Sequence, residues 1–438
     1  MVLGQGSALP LGSSNYHLVD RLSIKYGQNA LSLNPALRGY ERGKVVKFAK
    51  SLEANDSTLS KRDIEDLRRI YLDNNEWVAA SDVPLSIAGR RQGVLQQVGE
   101  DSLGALYRLV SPSQIEACTQ DERYTRCKKP IWHLFFPTPA NWLEVNRPGL
   151  HLRINPMIHL QAARPNEGDF LFLNQRGVEI RGGIDDRLFF YTNFTDTQGR
   201  FPGYVNEYVD KFKALPGNGL YKTYNSSVID SKGSYDWLNG QAYIGFNVTR
   251  HVGLQFGHGK NFIGNGYRSM ILSDFSHNYL YLKANWNVWR FQYQNLFVEL
   301  NPTSAQANPG DNYIPRKCMA AHLPGFKVTE RLSIGAYEAT VFRRDTAAGG
   351  FELQYLNPVI LYRTVEHLLD SEDNVLVGLD FKWDLFKHLR LYGQFMLDEF
   401  KLSEVRARNG WWGDKYGLQL AGLYVDALGI DHLDIRME

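Results

Sequence analysis

Leu280-Tyr281-Leu282-Lys283-Ala284-Asn285-Trp286-Asn287-Val288, then Trp289-Arg290, then Phe291-Gln292-Tyr293-Gln294-Asn295-Leu296-Phe297 is the stretch that decides the fold. Leu280, Leu282, Ala284, Trp286 and Val288 share one face, and Trp289, Phe291, Tyr293 and Phe297 continue it. Arg290, Gln292 and Gln294 face the other way. Successive residues of a strand point to opposite sides, so this period of two predicts a hairpin of strands with one apolar and one polar face.

The same text recurs along the chain. Leu150, Leu152, Ile154, Ile158 and Leu160 oppose His151, Arg153, Asn155, His159 and Gln161. Ala242 to Val248 and Val252 to Phe256 flank a turn at Thr249 to His251. Val375, Val377, Leu379, Phe381 and Trp383 pair with Leu389, Leu391, Phe395 and Leu397; Tyr416, Leu418, Leu420 and Tyr424 precede a last strand from Leu433 to Met437.

Connections separate the possible β architectures. Those at Asp185-Asp186, Thr249 to His251, Val328 to Arg331, Asp384 to His388 and Ala427 to Ile430 are short, whereas the links 196–240, 257–279, 301–315 and 401–414 are long. Short and long alternate, which in an up-and-down meander gathers all tight turns at one end and all long loops at the other, as in outer-membrane barrels. Arg153, His159, Glu179, Arg181, Arg290 and Lys382 on the polar faces suit a hydrated lumen and would be costly in a dry core. Trp286, Trp289 and Trp383 beside the tight turns suit an interfacial girdle.

The sequence therefore predicts an all-β fold, a transmembrane antiparallel up-and-down β-barrel. Reading Phe351 to His367 as two more strands that reverse near Asn357-Pro358 brings the candidates to about fifteen, and a complete barrel to about 16–18. Glu438 falls inside a strand, so the chain is expected to stop before the closing strands.

Residues 1–130 read differently from the barrel region 131–438. Ser60 and Asp63 form a capping-box start, and Ile64, Leu67 and Tyr71 share one helical face, which predicts a helix over 61–72. Between Pro84 and Val110, Gly89, Gly93, Gly99 and Gly104 interrupt any long helix.

Charge and cysteine usage narrow the function. With 49 Lys and Arg against 47 Asp and Glu, the net charge of +2 makes no case for a nucleic-acid partner. A mean hydropathy of -0.36 excludes no β-barrel, whose strands alternate. Cys118, Cys127 and Cys318 match no zinc spacing; Cys118 and Cys127 enclose a polar stretch that a disulfide would close in an oxidising compartment. No catalytic constellation, metal site or cofactor motif stands out, and Asp185-Asp186 lies in a tight turn, where acidic residues serve the turn. The chain is read as a non-enzyme.

The most distinctive motif is Gly257-His258-Gly259-Lys260-Asn261-Phe262-Ile263-Gly264-Asn265-Gly266-Tyr267-Arg268-Ser269-Met270-Ile271-Leu272-Ser273-Asp274. It lacks the spacing of a phosphate loop. Its glycines permit an inward fold that narrows the lumen, while His258, Lys260, Asn261, Tyr267, Arg268 and Asp274 offer groups for a glycan. Trp411 and Trp412, in a long loop, are candidate stacking platforms for a sugar ring.

Phe256 to Asp274, the strand at Tyr281 to Lys283, Leu356 to Arg363, Gly378 to Trp383, Asp434 to Glu438 and, near the start, Tyr16 to Arg21 together resemble the Wzi family of capsule-assembly outer-membrane proteins. The likeness is greatest to its Bacteroidetes branch, which includes the gliding-motility protein RemB. The resemblance implies a large barrel in the outer membrane, in contact with its lipid and with short N-terminal helices at its periplasmic side, that binds or anchors surface polysaccharide. The other function it allows is an envelope component of gliding motility or adhesion that acts through protein partners.

Overall fold

In the computed structural model the described residues are 6–27, 36–55, 59–78, the pair β1 (Leu95–Asp101) and β2 (Gly104–Leu109), 141–300 apart from 148, 167, 186 and 226–232, 316–343, 350–398 apart from 370 and 372, and 415–438. The main sheet is an antiparallel meander. It runs through β3 (Leu143–Arg147), β4 (Leu150–Ala163), β5 (Leu171–Ile184), β6 (Leu188–Arg200), β8 (Ser234–Asn247), β9 (Val252–Gly259), β10 (Tyr279–Val288) and β11 (Phe291–Leu300). It continues through β12 (Lys317–Lys327), β13 (Leu332–Phe342), β14 (Asn374–Leu385), β15 (Leu389–Asp398), β16 (Lys415–Tyr424) and β17 (Ile435–Met437), and the short β7 (Lys222–Tyr224) pairs with β8 to make fifteen strands.

The hairpin that opened the sequence reading forms as expected: Val288 pairs with Phe291 and Leu280 with Glu299, leaving Trp289-Arg290 as the turn. Tight turns and long links alternate along the meander, so the tight turns collect at one end. The link between β6 and β8 is shorter than read from sequence, because β6 runs on to Arg200, β8 starts at Ser234, and a helix, α4 (Gly203–Phe212), lies between them. The sequence text breaks there because these strand ends rise above the apolar band and no longer alternate.

The two faces differ as a barrel wall in lipid requires. Ile158, Leu238, Leu379 and Leu418 are exposed on the outside, with Leu379 at 58%. Arg153, Arg181, Lys283, Gln294 and Arg390 are buried on the inside, with Arg153 at 1%. Among the described residues no helix is long and apolar enough to cross a membrane. The sheet curls into a barrel around three helices, α1 (Asn15–Tyr26), α2 (Arg42–Asn55) and α3 (Lys61–Asp73), since Arg181 of β5 and Arg390 of β15 both bond to this helical block from far-apart places in the strand order. Ser60 accepts from the Asp63 N–H at 3.1 Å and Asp63 accepts from the Ser60 N–H at 3.1 Å, the capping box read from sequence.

One expectation is overturned. Phe351 to His367 holds no strand pair; it forms a 3-10 turn at Leu353–Leu356 and a helix, α5 (Tyr362–Leu369), and β13 pairs directly with β14. The governing period is helical: Tyr362, Val365 and Leu369, at i, i+3 and i+7, pack with Tyr355 onto Phe297, Ala320 and Phe342 of the outer wall. Glu338 of β13 accepts from the N–H groups of Tyr362 at 3.0 Å and Arg363 at 3.2 Å, so a wall carboxylate caps the helix. The segment clasps the wall from outside and buries polar residues there: Asn295 donates to the Pro358 carbonyl at 3.3 Å, and the His322 ring lies 3.9 Å from that of Tyr362.

The facing makes a prediction. Leu379→Arg, mid-strand on the outer face, should cost about 2 to 4 kcal/mol of assembly free energy. Gln241→Arg, on the lumen side, should leave the midpoint of folding into vesicles nearly unchanged. Equal losses at the two positions, measured by urea titration, would refute the assigned faces.

Candidate functional site in the lumen

The interior is built from the helical block outward. Leu22, Val45, Phe48, Leu52, Ile70 and Tyr71 form its apolar core, so the helices cohere as a unit and turn charged edges to the wall. Three buried arginines fasten that unit. Arg390 of β15 donates to Asp20 of α1 at 2.5 Å, to Ser23 at 2.6 Å and to Asp384 of the neighbouring strand. Arg181 of β5 donates to Glu76 at 3.2 Å and to the Asp73 carbonyl at 3.0 Å, beside Arg153 of β4, which donates to Asn75 at 2.8 Å. In the reverse sense Arg21 of α1 reaches the final tight connection, donating to Asp434 at 2.9 Å and to Asp426.

A guanidinium in an enclosed space is tolerable only when its donors are met by oxygen acceptors, and every nitrogen of Arg153, Arg181 and Arg390 has one. Burial works to raise the Glu76 carboxyl, yet Arg181, Arg42 and Arg153 outweigh it and hold Glu76 down at about 2. Burial likewise opposes ionisation of Asp426, but the His432 N–H, Arg21 and Lys25 bring it to about 2. Asp63, Asp66 and His432 place possible ligand atoms within 4.8 Å of one another. Arg21 and Lys25 supply the positive charge at that spot: Lys25 lies 2.8 Å from Asp63, and Arg21 3.7 Å from Asp66, so the cluster is an ion-pair anchor.

Above the helices the glycine-rich loop folds inward, as its composition suggested. Ile263 bridges to Leu37, the Arg38 N–H donates to the Phe262 carbonyl at 3.2 Å, and the Gly264 N–H donates to the Ala36 carbonyl at 2.7 Å. Loop and N-terminal segment thus make a short ladder inside the barrel. The loop also crosses to the far wall, where Gln394 accepts from the Met270 N–H at 2.9 Å and donates to the Ile263 carbonyl at 3.2 Å, and Asn265 donates to Asp380 at 3.2 Å. Gly264 has φ 159 and a side chain there would collide with Gln394 and Ser269, so glycine is required for the crossing.

The sequence candidates divide accordingly. Asn261 is buried against Tyr279, whose hydroxyl accepts from its N–H at 3.0 Å, and is a structural residue of the loop. His258 belongs to β9 and shares the outer face with Phe256, away from the loop. Lys260 donates to the Gly217 carbonyl at 2.5 Å; burial lowers its basicity while Asp274 acts to raise it. Tyr267 (73% exposed), Arg268 and Asp274 present their side chains, while Glu438 accepts from the backbone N–H groups of Tyr267 and Arg268 and Gln419 donates to the Arg268 carbonyl. Trp411, Trp412, Cys118 and Cys127 lie outside the described residues, and Cys318 is buried on the outer wall under the clasp.

Sequence reading missed Arg38, Gln394 and the three fastening arginines. Arg38 lies 4.7 Å over the Phe262 ring and 5.2 Å over that of Tyr16, and donates to the Gly266 carbonyl at 2.6 Å, tying helix, segment and loop together. The available signal was the recurrence of Arg153, Arg181 and Arg390 on the lumen-facing positions of their strands, where a guanidinium needs an oxygen partner.

No family model and no curated protein matches this chain. Solved structures similar to it include the Salmonella typhi OmpF complex with daunomycin, at 10% identity and a TM-score of 0.27, covering 64% of this chain and 88% of that one. Outer-membrane expressed OmpT of Vibrio cholerae has 12% identity and a TM-score of 0.24, covering 59% and 89%. The Ralstonia pickettii toluene transporter TbuX has 10% identity and a TM-score of 0.20, covering 65% and 71%. These likenesses are loose, and the barrel rests on the strand topology and the sidedness of its wall.

The anchors predict a pH and mutational response. Carboxylates held below their ordinary range, Asp63, Asp426 and Asp434, stabilise the docked helices above that range, and this stabilisation is lost as pH falls from about 4 toward about 2. Asp66, raised by burial, titrates in the opposite sense and offsets part of the loss. Arg390→Ala should loosen the helical block at neutral pH. Protease sensitivity of residues 6–78 in the folded barrel should rise in the variant, and in the parent protein only under acid; an unchanged digestion pattern would show that the ion pairs do not hold the block.

Proposed function

We propose that this protein is an outer-membrane barrel that holds surface polysaccharide without transforming it. The carrying observation is the division of labour in the glycine-rich loop. Its backbone, Asn261, Asn265 and Ser269 are spent on holding the loop across the lumen, while Tyr267, Arg268 and Asp274 are left presented. A ring face, a guanidinium and a carboxylate on a rigid loop are groups that recognise sugar rings, acidic sugars and hydroxyls. The helical block and the crossing loop occupy the lumen beneath, which favours retention of a polymer over its passage. The resemblance to the Wzi family points the same way.

The test uses Tyr267→Ala with Arg268→Ala, two exposed side chains whose backbone contacts survive substitution. Barrel abundance in the outer membrane should stay normal while cell-attached polysaccharide falls and polymer appears in the medium. Normal abundance with unchanged attachment would remove the glycan-holding role from this loop and shift weight to motility or adhesion through protein partners. Barrel absent from the outer-membrane fraction of the parent strain would overturn the location itself.

A further inference from the structure

A cavity of about 510 Å³ lies in the wall between β12 and β16, walled chiefly by Phe326, Ile334, Phe395 and Leu418 and floored by Ala336 and Gly393. It faces outward: Ile334 is 48% and Leu418 63% exposed, and both stand on the apolar outer face. It opens on the other side of the wall from the lumen site described above, with which it shares Asp380 and Gln394 of the wall between them.

Three sequence features hollow it out. Pro324 has no N–H to give to β13, and the β12–β13 ladder pairs His322 with Glu338, then resumes only at Gly325 with Gly335. Ala336 puts a methyl group where the surrounding outer face carries Ile334 and Leu379. Gly393 pairs with Phe381, and a side chain at Gly393 would come within 2.7 Å of the Phe381 ring, so the ring lies flat where a larger residue would push it outward. The dent sits at mid-wall, since Ala336 is in the middle of β13 (Leu332–Phe342), Leu379 in that of β14 (Asn374–Leu385) and Leu418 within β16 (Lys415–Tyr424).

At that depth a membrane offers hydrocarbon, and a groove so poor in polar atoms offers water no partners. Left empty, its lining would forfeit the dispersion contacts that close packing supplies. We infer that the groove is a binding site for one hydrocarbon chain, the acyl tail of a membrane lipid or fatty acid. The chain lies against Phe326, Phe395 and Leu418 and fills the space above Ala336 and Gly393. The exposed apolar band around the groove is continuous with it, so the tail enters sideways from the bilayer.

The probe is spin-labelled stearic acid added to the full chain in phosphatidylcholine vesicles, followed by electron paramagnetic resonance. A motionally restricted signal that saturates near one probe per barrel and is displaced by unlabelled palmitate is expected, on top of the unsaturable signal of ordinary boundary lipid. Ala336→Phe fills the groove and should abolish the saturable part while heat-modifiable gel mobility is retained. Leu418→Trp, at a tolerant and exposed rim position, decides the matter if Ala336→Phe does not assemble. Absence of a saturable component in the parent protein, or its survival in the filled variant, overturns the site. A saturable signal from spin-labelled phosphatidylcholine as well would assign the tail to a membrane lipid, and one from stearic acid alone to a free fatty acid.

Discussion

A guanidinium on the inner wall of a barrel must find oxygen partners, and that requirement organises this molecule. Arg153, Arg181 and Arg390 point into the lumen at buried positions, and nothing in the meander itself could satisfy them fully. The helical block brings Asp20, Ser23, Asn75, Glu76 and the Asp73 carbonyl to them. Arg21 closes the reverse link to Asp426 and Asp434. Removing one partner of such a pair leaves a buried charge unmatched, which typically costs about 3 to 5 kcal/mol, so wall and helices are mutually dependent. Curvature of the sheet and position of the helices are one solution to one electrostatic problem.

The crossing loop extends this logic from charge to backbone. Its N–H and C=O groups, which a lumen of fluctuating water would meet only loosely, are taken up by Ala36, Arg38 and Gln394. A loop fixed at both ends and across its middle has little freedom left to lose on binding, which favours recognition by its presented side chains. Tyr267 and Arg268 therefore stand exposed on a fixed support, whereas Asn261 is consumed as part of that support.

The outer face shows that a barrel wall need not be uniform. Under the clasp it carries Asn295, His322, Glu338 and Thr340, polar groups that bare lipid would not tolerate, and the segment Phe351 to Leu369 covers them. A short way toward the tight turns the wall thins at Pro324 and Gly393 into an apolar hollow. Both departures occur between β11 and β16, so this side of the barrel is the specialised one.

Alternation of apolar and polar residues by itself determined the meander, the inside and outside of its wall and the placing of tight turns at one end, because a strand's period of two is local and the bilayer reads it directly. Capping residues Ser60 and Asp63 determined α3 for the same local reason. Glycines 257, 259, 264 and 266 showed that the loop was free to turn inward, without naming what it would meet. Tertiary structure alone decided that Phe351 to His367 clasps the wall as turn and helix. Its apolar residues fit either period until Glu338, far off in sequence, caps Tyr362 and Arg363. It also decided which loop residues are left exposed and which are spent on the fold, since Asn261 lies against Tyr279 while Tyr267 meets no such neighbour on its ring among the described residues. Contacts between residues hundreds apart, such as Arg21 with Asp434 or Asp20 with Arg390, arise from the curling of the wall around the helices, and no local pattern encodes that curvature.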